Sequence, residues 1–319
     1  MAGANLPAKK YKKTSPTVTR LSFEFDGSGT EFIDIAQALS AINRKFYRQG
    51  VYYYVNSVEI YNNETGVVDL HTLPDTWVTK NSHSRGFQLF QKMNAMSDGP
   101  VSSVGRPKYH DFKVFMDQRH AAQGASTPPS LHTINAGSSA ITSDDWVYSQ
   151  FVSADDDGDT SQEADNFTVH IAGGHVGSSD DWTSVGLIRS YGESRRTVQP
   201  TNAPGSASNI PDQSVSADPM MNIFDFSSEE QMNDIVDNLT TDNDAPPYDF
   251  NVYVGETNTN LQHVARVGTE IGVGRVGRAA GFCAPFGLIC VDPSGVETAF
   301  RVVLNLAVGT YHGVYAERA

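Results

Sequence analysis

The sequence contains little cysteine, which excludes one common way of holding a fold together. Two cysteines, Cys283 and Cys290, occur among 319 residues, so the chain is not a disulfide scaffold. Their spacing leaves two alternatives open. A tight hairpin turn at Phe286 and Gly287 would make them cross-strand neighbours that can form a disulfide, whereas two free thiols would act as small apolar side chains. In either case, packing of apolar side chains has to provide most of the stability of the fold.

Long hydrophobic runs are also missing. The longest uncharged apolar stretch, residues 279–291, has 13 residues and includes two glycines and a proline. A membrane-spanning helix needs about 20 apolar residues, so this stretch is too short. The basic residues near the N-terminus are not followed by an apolar run, which predicts that they are not a secretory signal. We therefore expect a soluble protein without membrane insertion.

Positive charge is scarce in most of the chain and is concentrated at the N-terminal end. The sequence has 23 Lys and Arg residues against 37 Asp and Glu, for a net charge of -14. Residues 1–20 hold five of the bases and no acid, so residues 21–319 carry 18 bases against 37 acids, a net charge of -19. Residues 1–17 are rich in Pro, Ala and Lys and lack apolar periodicity. This composition predicts a disordered basic arm ahead of one folded domain, residues 18–319.

A basic arm beside an acidic body is typical of proteins that bind nucleic acid phosphates or an anionic membrane. On charge alone, a solubilising terminus without a partner is the alternative. The candidate nucleic-acid-binding residues in and next to the arm are Lys9, Lys10, Lys12, Lys13 and Arg20. A second basic group, Arg44, Lys45 and Arg48, lies in the last turn of the first predicted helix and extends the same candidate surface.

Helical periodicity is limited to a few segments. The clearest helix is predicted over Asp34–Gln49, with Asp34 as its N-cap and Gly50 as its end. Further helices are predicted over Ser84–Met96 and from Ser227, where Ser227 and Glu230 have the spacing of a capping box.

Strand patterns fill most of the remaining chain. Residues 21–25 alternate apolar and polar side chains, as a half-buried strand does. Further strands are predicted over Val51–Tyr61, Val67–Leu73, Tyr109–Met116, Trp146–Val152, Asn166–Ile171, Val185–Tyr191, Met220–Phe226, Tyr248–Val254, Leu261–Val267, Phe282–Val291, Thr298–Ala307 and Tyr311–Tyr315. Many short strands without strand–helix alternation favour an all-β, antiparallel sandwich with a few short helices and long loops.

Catalytic motifs are absent from the sequence. The pattern Gly-x-Gly-x-x-Gly at Gly272–Gly277 is not preceded by a βαβ unit, so it indicates a glycine loop between strands rather than a dinucleotide site. No Gly-x-Ser-x-Gly nucleophile elbow occurs. Acidic residues are plentiful, but nothing selects a glycosidase-like pair of carboxylates. We therefore expect that the protein is not an enzyme.

Two clusters in the sequence contain Asp or His side chains, which are common metal ligands. Asp155, Asp157 and Asp159 form an acidic loop that is a weak candidate for Ca²⁺, although the flanking residues do not fit an EF-hand. His170 and His175 lie near Asp180 and Asp181 in sequence, a second weak candidate. Solvated acidic side chains and ordinary sheet histidines explain both clusters as well, so no cofactor is expected.

Three stretches of the sequence together resemble one viral family. They are Ile33–Gly50 with the adjoining Val51–Val58, Leu70–Thr79, and the ending formed by Ala284–Ile289 and Gly309–Ala316. They resemble the capsid proteins of small circular single-stranded DNA viruses that encode a replication initiator (Rep), in particular environmental members. The likeness covers mainly the first hundred and the last eighty residues.

The resemblance implies a fold, a function and partners. The fold is a single jelly roll, an antiparallel eight-stranded sandwich, and the function is self-assembly into an icosahedral shell of sixty copies or a multiple. The implied partners are other copies of the chain, the viral single-stranded DNA bound through the N-terminal arm, and a host receptor. The implied location is the virion, assembled inside the host cell. The alternative is a lectin-like carbohydrate-binding β-sandwich that uses calcium at residues 155–159.

Overall fold

The computed structural model describes most of the chain, with gaps. The described residues are 17–27, 29–97, 112–123, 130–131, 146–153, 165–178, 181–196, 253–269, 275–296, 298–307, 310–311 and 314–315. The predicted helix from Ser227 and the predicted strand Met220–Phe226 lie outside these residues.

Strands dominate the described residues. In chain order the strands are β1 (Arg20–Phe25), β2 (Glu31–Asp34), β3 (Tyr53–Tyr61), β4 (Gly66–Thr72), β5 (Phe115–Asp117), β6 (Ser130–Leu131), β7 (Gln150–Ser153), β8 (Asp165–Ala172), β9 (Val176–Ser178), β10 (Asp181–Gly186), β11 (Gln262–Thr269), β12 (Val276–Ala284), β13 (Leu288–Ser294), β14 (Phe300–Leu306), β15 (Thr310–Tyr311) and β16 (Val314–Tyr315). The helices are α1 (Ile35–Asn43), α2 (Trp77–Ser97), α3 (Gln118–Gln123) and α4 (Leu187–Arg196).

The chain divides into two compact units. The first unit comprises residues 1–75, 98–149 and 261–319, and the second comprises residues 76–97 and 150–260. Both segments of the second unit lie between β4 and β11 in the sequence, and residues 98–149 of the first unit separate them. The prediction of one domain over residues 18–319 stays a prediction.

The described residues of the first unit form two large antiparallel sheets and one short antiparallel pair, β15 with β16. One has the strand order β12-β3-β14-β1-β6, and the other has the order β11-β4-β13-β2. The pairing is nested, because β1 pairs with β14, β2 with β13, β3 with β12 and β4 with β11. The β-rich, antiparallel architecture predicted from the sequence is confirmed at this level.

One hydrophobic core lies between the two sheets. Alternation along each strand turns one set of side chains inward, as the burial of Leu21, Phe23 and Phe25 in β1 shows. Both sheets and α1 contribute to the same cluster, which includes Val55, Val58, Ile60, Val302 and Leu304 from the first sheet, Ile33, Val68, Leu70, Ile289 and Val291 from the second, and Ile35 and Leu39 from α1.

The turn between β12 and β13 decides between the two alternatives for the cysteines. Phe286 and Gly287 both have positive φ, 60° and 74°, but they carry the chain from one sheet to the other rather than closing a hairpin. Cys283 is consequently paired in register with Tyr54, and Cys290 belongs to the other sheet. The two cysteines form no disulfide, and Cys290 is buried while Cys283 is half-buried, so the alternative of a cross-strand disulfide is wrong.

The second unit contains helices and a small mixed sheet. β8 pairs antiparallel with β7 and parallel with β10, and β10 pairs antiparallel with β9. The strand predicted over Val185–Tyr191 is wrong after Gly186, because α4 begins at Leu187. Helical spacing explains the difference: Ile188 is buried, and Arg189 forms an ion pair with Glu193 one turn later at 2.8 Å.

Helix α2 of the second unit is longer than the sequence suggested. It begins at Trp77 rather than Ser84, because the Thr76 hydroxyl accepts a hydrogen bond from the backbone N–H of Thr79 at 3.2 Å, as a helix cap does. Neither this helix nor any other in the described part of the chain is long and apolar enough to cross a membrane.

Candidate nucleic-acid interface

Several residues predicted to bind ligands lie outside the described residues. They are Lys9, Lys10, Lys12 and Lys13 of the arm and Asp155, Asp157 and Asp159 of the acidic loop. Across the described ranges, no group of three or more His, Cys, Asp or Glu side chains is placed to hold a metal ion. The structure does describe the other predicted nucleic-acid contacts, Arg20, Arg44, Lys45 and Arg48.

The two predicted histidine ligands take part in structural hydrogen bonds of the second unit. His170 is fully buried, with Nδ1 2.8 Å from the Ser184 hydroxyl and Nε2 2.9 Å from the Gly174 carbonyl. Burial lowers the pKa of His170 to about 4, so the ring is neutral at pH 7. His175 contacts the backbone N–H of Gly186 and the carboxylate of Glu193. All four ring nitrogens therefore have protein partners.

The root of the arm is attached to the end of α1. The backbone N–H of Val18 donates to Oδ1 of Asn43 at 2.8 Å, and Nδ2 of Asn43 donates to the Val18 carbonyl at 3.2 Å. Asn43 is the last residue of α1, and Arg44 follows it directly. The structure therefore brings the base of the arm to the first of the three basic residues Arg44, Lys45 and Arg48.

The basic residues do not lie on the helix, which corrects the predicted boundary. α1 ends at Asn43, and Arg44 adopts the left-handed conformation with φ 49° and ψ 38°. The end is fixed because the Ser40 hydroxyl accepts the backbone N–H of Tyr47 at 3.0 Å, while the Tyr47 ring is buried in the core. Arg44, Lys45 and Arg48 are all exposed in the segment that follows.

The predicted N-cap of α1 is confirmed. Oδ1 of Asp34 accepts hydrogen bonds from the backbone N–H groups of Ala36 at 2.9 Å and Gln37 at 3.2 Å. Burial raises the pKa of Asp34 to about 7, while these backbone bonds, Gln49 and the charge of Lys113 act in the opposite direction. The cap is thus a buried carboxyl group that changes its protonation near neutral pH.

Gln49 fixes the other end of the basic segment. Its Nε2 donates to Oδ2 of Asp34 at 3.0 Å and to the Val114 carbonyl at 2.8 Å, and its Oε1 accepts the Val114 N–H at 2.6 Å. The segment between Arg44 and Gln49 is therefore held at both ends. Its cations lie on a short, anchored loop beside the root of the arm.

Arg20 belongs to a group of charges that sequence reasoning missed. Its Nη2 lies 3.2 Å from Oε2 of Glu59 in β3, and Nε of Arg278 in β12 lies 3.6 Å from the other carboxylate oxygen. Arg301 in β14 lies 4.0 Å from Glu24. The alternation around residue 301 could have placed Arg301 outward, because Phe300 and Val302 on either side are apolar. Nothing in the sequence indicated which strands would be neighbours.

Among the described residues, the exposed cations Arg44, Lys45 and Arg48 therefore follow directly after Asn43, the residue that is bonded to Val18. In comparisons with protein-family models, curated proteins and solved structures, the chain matches none of them.

Proposed function

We propose that the protein is a structural capsid protein that self-assembles into an icosahedral shell around a single-stranded DNA genome. The shell would contain sixty copies of the chain or a multiple, and the role is structural rather than enzymatic. The proposal implies that the protein is located in the virion, is assembled inside the host cell and contacts a host receptor.

The observation that carries the proposal is the nested strand pairing. The strands β1, β2, β3 and β4 pair in turn with β14, β13, β12 and β11. A long hairpin that wraps around itself produces this pairing, and an eight-stranded jelly roll is built that way. We therefore propose the jelly roll as the finer description of the fold. Viral capsid domains and lectin domains both use this architecture.

Charge favours the capsid interpretation over the lectin interpretation. The four lysines of residues 1–16 immediately precede a root that is anchored beside Arg44, Lys45 and Arg48. A lectin that binds sugar through a calcium loop does not require such a concentration of cations, whereas a shell that encloses DNA needs cations on its inner side. The acidic character of residues 21–319 leaves the arm and its surroundings as the main source of those cations.

Removing the arm tests the proposal. Full-length particles should show an absorbance ratio at 260 and 280 nm that indicates packaged nucleic acid. Deletion of residues 1–16 should lower this ratio while the circular-dichroism spectrum is preserved, because the deletion leaves in place Val18 and its two hydrogen bonds to Asn43. As the matched control, the neutral substitution of Lys92 to Gln in α2 should leave the ratio unchanged. Equal packaging by truncated and full-length protein would contradict a genome-binding role for the arm.

A further inference from the structure

The outer side of the sheet β12-β3-β14-β1 carries a group of arginines, which we call the arginine face. It is defined by Arg20, Arg278 and Arg301 on the strands, Arg275 at the end of β12, and the carboxylates Glu24 and Glu59. Alternation along β1 places Arg20 and Glu24 outward while Leu21, Phe23 and Phe25 are buried.

The charge of this face is opposite to that of the body. Four arginines against two glutamates give a net charge of +2, whereas residues 21–319 as a whole carry -19. The charged residues on the outer side of the sheet β11-β4-β13-β2 have the opposite balance. There Arg266 is bonded to Asp69, and Asp292 lies in register beside Asp69, so these three residues have a net charge of -1. Of these two surfaces, the arginine face is the one that attracts a polyanion.

Glu59 orients the arginines rather than neutralising them. Its side chain is 17% exposed, while those of Arg20 and Arg278 are 63% and 75% exposed. Each guanidinium has five N–H donors, and the contact with Glu59 leaves most of them directed to solvent. The hydroxyl of Tyr61 also donates to Glu59, at 3.0 Å, which holds the Tyr61 ring at the same surface.

A cavity of about 290 Å³ lies at the end of the arginine face. Tyr61, Arg275, Arg301 and Glu24 are among its lining residues. The volume is just below the range of about 300–1,000 Å³ that is typical of small-ligand pockets. Tyr61 is 37% exposed there. An aromatic ring beside two cations is the arrangement on which single-stranded nucleic acids stack a base and place a phosphate.

We propose that the arginine face binds single-stranded nucleic acid, with backbone phosphates at Arg20, Arg278 and Arg301 and one base stacked on Tyr61 in the adjoining cavity. The inference rests on the proposed function, because it takes the packaged genome as the ligand. The strand would continue from the arm, since Arg20 lies two residues after the anchored Val18. The acidic Glu24 is accommodated because it already faces Arg301.

Photo-crosslinking tests the position of the strand. The probe is a fluorescent thymidine oligonucleotide containing 5-iodouracil, added to full-length protein that has been freed of nucleic acid in high salt. Irradiation should join the probe to the peptide that contains Tyr61. Tyr11 in the arm serves as an internal comparison within the same chain. Cross-links confined to residues 1–16 would overturn the arginine face as a binding site while leaving a genome-binding arm intact.

Salt titration of the same probe tests the phosphate contacts. Each phosphate contact that is lost should reduce the slope of log K against log salt by about 0.7. The double substitution Arg278→Gln with Arg301→Gln should therefore reduce it by about 1.4. Arg266→Gln is the matched control, because it removes an exposed arginine paired with a carboxylate on the other sheet. Equal slopes for the double variant and the wild type would overturn the inference.

Substitution of Tyr61 tests the stacked base. Tyr61→Ala should weaken binding of the probe about fivefold or more, since it removes one base–aromatic stack, whereas Tyr61→Phe should bind like the wild type. Equal affinities for the alanine and phenylalanine variants would contradict the stacked base. Electron microscopy of each preparation keeps the two proposals separate: cross-linking at Tyr61 without particles would support the arginine face and contradict the capsid.

Discussion

Val18 and Asn43 exchange two hydrogen bonds, and this pair joins the arm to the folded part of the chain. The Val18 N–H donates to Asn43 at 2.8 Å, and the Asn43 side chain donates back to the Val18 carbonyl at 3.2 Å. Asn43 also donates to the Leu39 carbonyl at 3.1 Å, so the same side chain helps to complete the end of α1. Val18, near the start of the described residues, is thus bonded to a helix terminus.

Loss of this side chain should loosen the root of the arm. Asn43→Ala removes both bonds to Val18, each worth about 1 kcal/mol, so we expect faster amide hydrogen exchange at Val18 by about tenfold or more. Asn56→Ala, which changes an exposed asparagine of β3, is the control and should leave exchange at Val18 unchanged. Equal protection of Val18 in the wild type and Asn43→Ala would show that other contacts hold the root.

The buried N-cap gives the protein a defined dependence on pH. The pKa of Asp34 is raised by burial from 3.8 to about 7 in the folded state. The folded state therefore binds a proton more tightly than the unfolded state, and the contribution of Asp34 to stability falls as pH rises from about 4 to about 7. Above about pH 7 the Asp34 carboxylate is ionised in the folded state, and burying its charge lowers the free energy of unfolding by the full amount.

Replacing the carboxylate should remove this dependence. Relative to the wild type, the free energy of unfolding of Asp34→Asn should rise by about 3–4 kcal/mol between pH 4 and pH 8, measured by urea unfolding. Asp69→Asn is the control, because the hydrogen bond from Arg266 lowers the pKa of Asp69. The contribution of Asp69 to the free energy of unfolding is therefore present at neutral pH and is lost only as pH falls below the usual pKa of an aspartate, the opposite direction to Asp34. A constant difference between Asp34→Asn and the wild type would show that folding does not raise the pKa of Asp34.

The two cysteines should differ sharply in reactivity. Burial raises the pKa of Cys290 to about 12, so almost no thiolate is present at pH 8, whereas Cys283 is partly exposed. Iodoacetamide at pH 8 should therefore modify Cys283 in the folded protein and both cysteines in urea, as read by mass spectrometry. Modification of Cys290 at the rate of Cys283, or a disulfide between them, would contradict the assignment of the two residues to different sheets.

Pairing of β12 with β3 depends on a glycine. A Cβ atom at Gly281 would lie 2.5 Å from the Val55 carbonyl oxygen and 2.6 Å from that of Asn56, so the backbone would have to move. Gly281→Ala should lower the free energy of unfolding by about 1–3 kcal/mol. Gly268→Ala in β11 is the matched control, because among the described residues no atom beyond its chain neighbours lies within 4 Å of the added methyl group. Equal urea midpoints for the two variants would argue against this strand pairing.

Local sequence patterns predicted where helices and strands begin better than they predicted features that depend on contacts between distant residues. The alternation of residues 21–25 predicted β1, and the short acidic side chain of Asp34 predicted the start of α1, because both signals act within a few residues. The end of α1 was missed because it depends on the left-handed Arg44 and on a bond between Ser40 and Tyr47. Those features are set by packing in the core and have no sequence signal of their own.

The candidate site was only partly predictable for the same reason. Clustering along the sequence identified the lysines of the arm and the segment that contains Arg44, Lys45 and Arg48. Arg278 was not identified, because its partner Glu59 is 219 residues earlier and is brought near it only by the pairing of β12 with β3. A charge surface built from separate strands becomes visible only when the register of the sheet is known.

The direct test of the central claim is the size and shape of the purified full-length protein. Size-exclusion chromatography followed by negative-stain electron microscopy should show uniform closed shells with the mass of sixty subunits or a multiple, because closed icosahedral symmetry requires that number of equivalent positions. A stable monomer or a small oligomer across about pH 5 to 8 at moderate salt would contradict the capsid proposal.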